Sequence, residues 1–296
     1  MAFVIPLARF CAQAAAALPI IALLSLLAGR RGNGAFCLAG AAWLCRLGLA
    51  LGIAGPIWIA FSCLYAVLPY HLDLAALCGL LIKPAGMAWS LSLLSWLVGL
   101  CLFWTGCIAV TAFAARLGAD SYAASELALP IGLFLAAAFF LFAPFALINW
   151  PFAGFPQGLA KERVIMAIFR NANSEYFRGF CAAGAIALAL WPIWPRRLAA
   201  GETAIGARWL AFWAFAGNLP WLLSSLGPAL GAWLNASQLA AAYGVGRQLG
   251  ALALFTGAAF CWAFLLWRPR HLRICAWAGF ALACAAILLG ALGSRL

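Results

Sequence analysis

Long apolar runs, separated by short clusters of arginine, glycine, proline and a few acidic residues, set the pattern of this chain. About 20 consecutive apolar residues suffice to cross a bilayer as a helix. The pattern predicts helices over 2–28, 35–68, 87–115, 127–150 and 177–194, one beginning after Arg208, and two more over 245–267 and 274–293. The turn Gly29-Arg30-Arg31-Gly32-Asn33-Gly34 closes the first of these, and Pro195-Arg196-Arg197 closes the fifth. The segment after Arg208 is expected to be broken by Asn218, Pro220, Gly227 and Pro228. The one long loop, 152–176, carries apolar Leu159, Ile165, Ile168 and Phe169 near helical spacing with charges between them, which predicts an interfacial helix.

The second run is the unusual one. At 1.5 Å per residue, 35–68 spans about 50 Å, so it must tilt, protrude or kink at Gly55-Pro56. Splitting it there would put His71 and Asp73 inside the membrane. A single tilted passage fits better, because no polar turn separates the halves, and 72–82 then reads as a short amphipathic segment on the membrane surface.

Composition turns this pattern into a class. The 296 residues are 68% hydrophobic and 8% charged, with a mean hydropathy of +1.07. A soluble domain holds about 25% charged residues. The chain therefore reads as one all-α polytopic membrane domain over 1–296, of about eight helices. Its net charge of +12 sits in the gaps between apolar runs and not in one patch, which points to topology and anionic head groups, not to nucleic acid. Nine basic residues fall in the turns after the first, third, fifth and seventh helices, against seven on the opposite side. The positive-inside rule then places both termini, and the long loop, on the periplasmic side of an inner membrane. The eleven cysteines lie mostly within apolar runs and form no C-x-x-C pair, so they read as small apolar packing groups.

Candidate chemistry is sparse. No predicted helix core contains Asp or Glu, and the motifs of metalloproteases, serine hydrolases and phosphate-cradling loops are absent. His71 and His271 fall on opposite faces, so this chain alone is not expected to hold a bis-histidine haem. Arg46 is the most costly polar residue, at a depth where a charge faces protein, water or a ligand. It is expected to face the bundle interior, meeting either the carbonyls of a broken helix near Asn218 or the polar group of a quinone, carboxylate or lipid. Tyr70, His71 and Asp73 form a candidate proton-exchanging cluster, because imidazole titrates near neutrality and a carboxylate orients it. As plain structure, these same groups would be a buried arginine bonded to backbone and a solvated helix end.

The helix starts Arg9-Phe-Cys-Ala and Tyr176-Phe-Arg-Gly-Phe, with Gly52-Ile-Ala-Gly-Pro-Ile-Trp and the Asn149-Trp-Pro corner, resemble the integral subunits of cytochrome-linked respiratory complexes, cytochrome bd-like subunits among them. Cys11 and Gly179 stand near where such subunits carry haem-binding histidines, so the likeness implies a haem-free relative, such as a quinone-site anchor. It further implies partners: other subunits of a redox complex, a cytochrome or an iron–sulfur protein. The expectation is a membrane subunit of a respiratory electron-transfer complex, non-catalytic by itself, with a quinone or lipid pocket. A permease for a neutral or anionic solute is the alternative, weakened by the missing acidic groups, and a lipid-modifying enzyme is a third.

Overall fold

The computed structural model describes residues 4–29, 34–67, 84–117, 127–147, 161–192, 200–234 and 239–293. Tyr70, His71 and Asp73 lie outside these residues. Among the described residues every regular element is helical: α1 (Val4–Gly29), α2 (Gly34–Gly52), α3 (Ala54–Val67), α4 (Pro84–Leu117), α5 (Ala128–Leu147), α6 (Lys161–Leu190), α7 (Ala200–Leu234), α8 (Leu239–Trp267) and α9 (Leu272–Gly293), with a 3-10 turn at Pro269–His271. Helices satisfy their own backbone polar groups, which is why they suit an apolar chain of this composition. Six stretches among the described residues are long and apolar enough to cross a membrane: Val4–Gly29, Phe36–Leu64, Trp89–Ala112, Ala128–Leu147, Leu249–Trp267 and Pro269–Leu289. The protein is an all-α, multi-pass membrane bundle.

Two predicted boundaries move. The helix expected to begin at Phe177 begins at Lys161, so most of the predicted long loop belongs to α6. No glycine or proline lies between Lys161 and Arg178, and nothing in that stretch stops a helix. The segment expected to break at Asn218 and Pro220 is instead one helix of 35 residues, α7. Neither α6 nor α7 is among the six apolar spans.

The chain divides into two compact units, one of Cys11–Tyr176 and one of Met1–Phe10 with Phe177–Leu296. In the first, α4 is the helix that ties its neighbours together. Pro56 has no N–H to give to the carbonyl four residues back, that of Gly52. The helical path breaks at Ile53 between α2 and α3, two residues before the predicted Gly55-Pro56 kink. The Trp96 indole N–H of α4 donates to the Gly52 carbonyl at 2.9 Å. Gly55 admits the ring, since a β-carbon there would lie 1.9 Å from Trp96 Cε2. The same logic repeats next door. Pro144 in α5 frees the Phe140 carbonyl, and the Ser95 hydroxyl donates to it at 2.7 Å. Consecutive residues of one helix thus serve two proline-freed carbonyls on two others. A buried carbonyl left without a partner costs about 1–3 kcal/mol.

The second unit relies on close backbone approach. A β-carbon on Gly184 of α6 would lie 2.4 Å from the Ala214 backbone nitrogen of α7, and one on Gly217 would lie 2.3 Å from the Cys181 backbone nitrogen. With lipid as apolar as any side chain, small residues that let backbones meet are a main source of helix association. Further along, Trp191 sits over Gly206 and its indole N–H donates to the Thr203 carbonyl at 3.2 Å. The α8–α9 hairpin turns at Pro269–His271, where the Arg268 N–H closes on the Phe264 carbonyl at 2.7 Å. His271 is exposed at this turn, beside the Phe264 ring at 5.7 Å.

Candidate functional site: a buried carboxylate beside an aromatic row

Glu175 of α6 is 4% exposed, and the Gln13 side-chain amide of α1, itself 5% exposed, donates a hydrogen bond to its carboxylate. Gln13 lies nine residues past the start of the span Val4–Gly29, which places it about 14 Å along the helix, near the middle of that span. Glu175 is held at the same depth by the hydrogen bond. This corrects the expectation that no helix core carries an acidic residue. A carboxylate so placed costs about 3 kcal/mol on insertion scales, so membrane proteins keep one where it has work to do or a partner to hold it.

A glutamine side chain offers both an amide donor and a carbonyl acceptor, and here it is the amide that meets the carboxylate.

The first unit also carries a run of rings that begins at the residue after Glu175. Tyr176, next to Glu175, stacks on Phe142 with centroids 3.8 Å apart, and Phe142 meets Phe145 at 5.9 Å. Phe145 stacks on Trp58 at 4.5 Å and takes the edge of Trp96 at 6.3 Å. One row of aromatic rings thus runs from Tyr176 to Trp96, the residue that caps the α2–α3 break. Such rings bring large apolar area and little conformational freedom.

The predicted site residues fare differently. Arg46 is exposed on α2, contrary to the expectation that it faces the bundle interior. The reason is register: Cys45 and Gly48 take the inward face of that turn and Gly48 packs on Phe103, leaving position 46 outward. Asn218 is 1% exposed in the second unit, where its amide Nδ2 donates to the Phe255 carbonyl at 3.0 Å and its Oδ1 has no hydrogen-bond partner. Asn218 therefore ties α7 to α8 instead of marking a helix break. Tyr70, His71 and Asp73 fall outside the described residues. Sequence reasoning missed Glu175 because hydropathy put the helix boundary two residues after it. The breaker-free stretch from Lys161 to Arg178 was the signal that would have found it. Among the described residues no cluster of three metal-ligating side chains occurs, and the described cysteines are free thiols.

Comparison with protein-family models, with curated proteins and with solved structures finds no match.

Proposed function

We propose that this protein is a proton-coupled membrane permease for a small neutral or anionic solute, with Glu175 as its proton-carrying group. The observation behind the proposal is the Gln13–Glu175 pair, buried at mid-span depth. In this reading the carboxylate exchanges a proton at each change of access, as proton-driven carriers do with such groups. The missing acidic residue was the argument against a permease, and Glu175 removes it. In this reading the protein sits in the inner membrane with both termini periplasmic.

A membrane subunit of a respiratory electron-transfer complex is the second reading, favoured by the aromatic row. Flat ring faces from Tyr176 to Trp58 suit a quinone head group, and Glu175 would take the proton that a quinol releases on oxidation. Here the chain anchors a cytochrome or iron–sulfur partner and binds no haem or metal of its own.

Purified protein in vesicles with a trapped pH dye tests the first reading. A panel of small sugars, polyols and carboxylates is added outside while internal pH is followed. At least one compound should move protons in step with its own entry, and Glu175→Gln should abolish proton movement while leaving a folded protein. If no compound moves protons, or if Glu175→Gln matches the native chain, the permease reading falls. Quinol oxidation by membranes that carry the chain, reduced by Glu175→Gln and unaffected by the solutes, would favour the second reading.

A further inference from the structure

Arg46 lies ten residues inside the span Phe36–Leu64, about 15 Å from its first residue and within about 6 Å of its midpoint. Its side chain is exposed, and no carboxylate among the described residues pairs with it. A guanidinium keeps its charge at any accessible pH, so it does not escape this setting by losing a proton. An arginine stem reaches roughly 6 Å, short of the head groups from this depth along the helix. The surrounding face is built for approach. Ala39, Ala42 and Ala50 stand within two turns of Arg46, exposed or half-buried. Ile53 and Ile57, 66% and 40% exposed, extend the same face at steps of three and four residues.

We propose that this face of α2 and α3 docks a transmembrane helix of another protein, one that carries an Asp or Glu at the depth of Arg46. Small residues on either side allow close helix contact, and a carboxylate on the partner matches the planar fork of the guanidinium. Charge decides the occupant. Two copies of this chain meeting on this face about a two-fold axis would bring Arg46 near Arg46. The described carboxylates, Glu175 and Glu202, already have contacts within their own chain. The inference is independent of the Glu175 site, which lies on other helices and is read by proton movement.

The test places a photoreactive residue at Ala50, one turn from Arg46, in the full chain expressed in the membranes of its own source. Irradiation should yield an adduct on a transmembrane segment of another protein, with an Asp or Glu within one turn of the adduct. Arg46→Gln, which breaks no ion pair with a carboxylate among the described residues, should leave folded yield unchanged and lower the adduct about tenfold. Arg46→Glu should do the same, and replacing the partner's acid by Arg should restore the adduct in that background. Adducts on lipid alone, on a second copy alone, or on a segment without a carboxylate would overturn the proposal. So would the absence of any adduct, or an amount of adduct indifferent to Arg46→Gln.

Discussion

Trp96 in the first unit and Trp262 in the second are both fully buried, and each lies against a glycine of a neighbouring helix. They differ in what becomes of the indole N–H. That of Trp96 donates to the Gly52 carbonyl, three residues before Gly55. That of Trp262 has no hydrogen-bond partner, although a β-carbon on Gly279 would lie only 2.5 Å from it. The carbonyl in the equivalent place is that of Ala276, and the residue four further on is Phe280, not proline. Its helical partner is therefore present, whereas Pro56 left Gly52 without one. Trp191 over Gly206 is intermediate: the Thr203 carbonyl accepts at the longer distance of 3.2 Å with no proline downstream to free it. A glycine gives a ring access to a helix backbone, but a proline makes the carbonyl there available. Close packing and polar satisfaction are thus separable, and this protein shows both combinations.

The largest effect that would test this contrast is steric. Gly55→Ala puts a methyl carbon 1.9 Å from Trp96 Cε2, in a ring that is buried and walled by Phe145. Overpacking costs about 1–3 kcal/mol and sometimes more, and here the upper end or beyond is expected, read as loss of folded protein or a sharply lower thermal midpoint in detergent. Gly279→Ala should cost less, because the nearest Trp262 atom is farther away, at 2.5 Å. Equal midpoints for the two variants would break the comparison.

Next comes the donor. Trp96→Phe removes the N–H and strands the Gly52 carbonyl, so a loss of about 2–3 kcal/mol is expected once the smaller ring is included. Trp262→Phe loses the same ring volume and no hydrogen bond, and it relieves a buried unpaired donor, so its cost should stay near or below about 1 kcal/mol. Chemical unfolding of the two variants side by side measures the difference. If Trp262→Phe proved as damaging as Trp96→Phe, the indole N–H of Trp96 would not be what matters.

Pro56→Ala then sharpens the cause. Alanine restores a backbone N–H four residues after Gly52, so in the Trp96→Phe background it should recover about 1 kcal/mol. Simple additivity of the two changes would refute the proline argument. Smallest of all, Ser95→Ala should cost about 1 kcal/mol through the Phe140 carbonyl. That cost should shrink when Pro144 is also replaced by alanine, which a double-mutant cycle on thermal midpoints can read.

Much of this fold was legible in the residues themselves. The run that includes Gly55-Pro56 is long and apolar enough to cross over Phe36–Leu64, with a break two residues before the glycine. The placement follows from proline chemistry, because the missing hydrogen bond belongs to the carbonyl four residues earlier. Asn218-Leu-Pro looked like a similar break and is not one, since α7 runs through it. There the polar side chain bonds another helix, a choice that local sequence does not express. Glu175 was hidden for a related reason. A window of mean hydropathy averages it with Lys161, Glu162 and Arg163 and assigns the whole stretch to water.

The sequence by itself determined the solvent and the secondary structure. Apolar runs of span length can satisfy their backbone polar groups in lipid only as helices, and that rule needs no knowledge of neighbours. Tertiary structure alone decided which polar groups are inside. Gln13 and Glu175 are 162 positions apart, and neither is marked as buried by anything within a turn of it. The face that Arg46 presents is equally undetermined by its own helix, which is apolar all round and has no polar side to set its rotation. Hydropathy is a property of one chain segment, whereas burial, hydrogen-bond pairing and helix rotation belong to contacts between segments. Those contacts turned Arg46 outward and brought Glu175 to its glutamine.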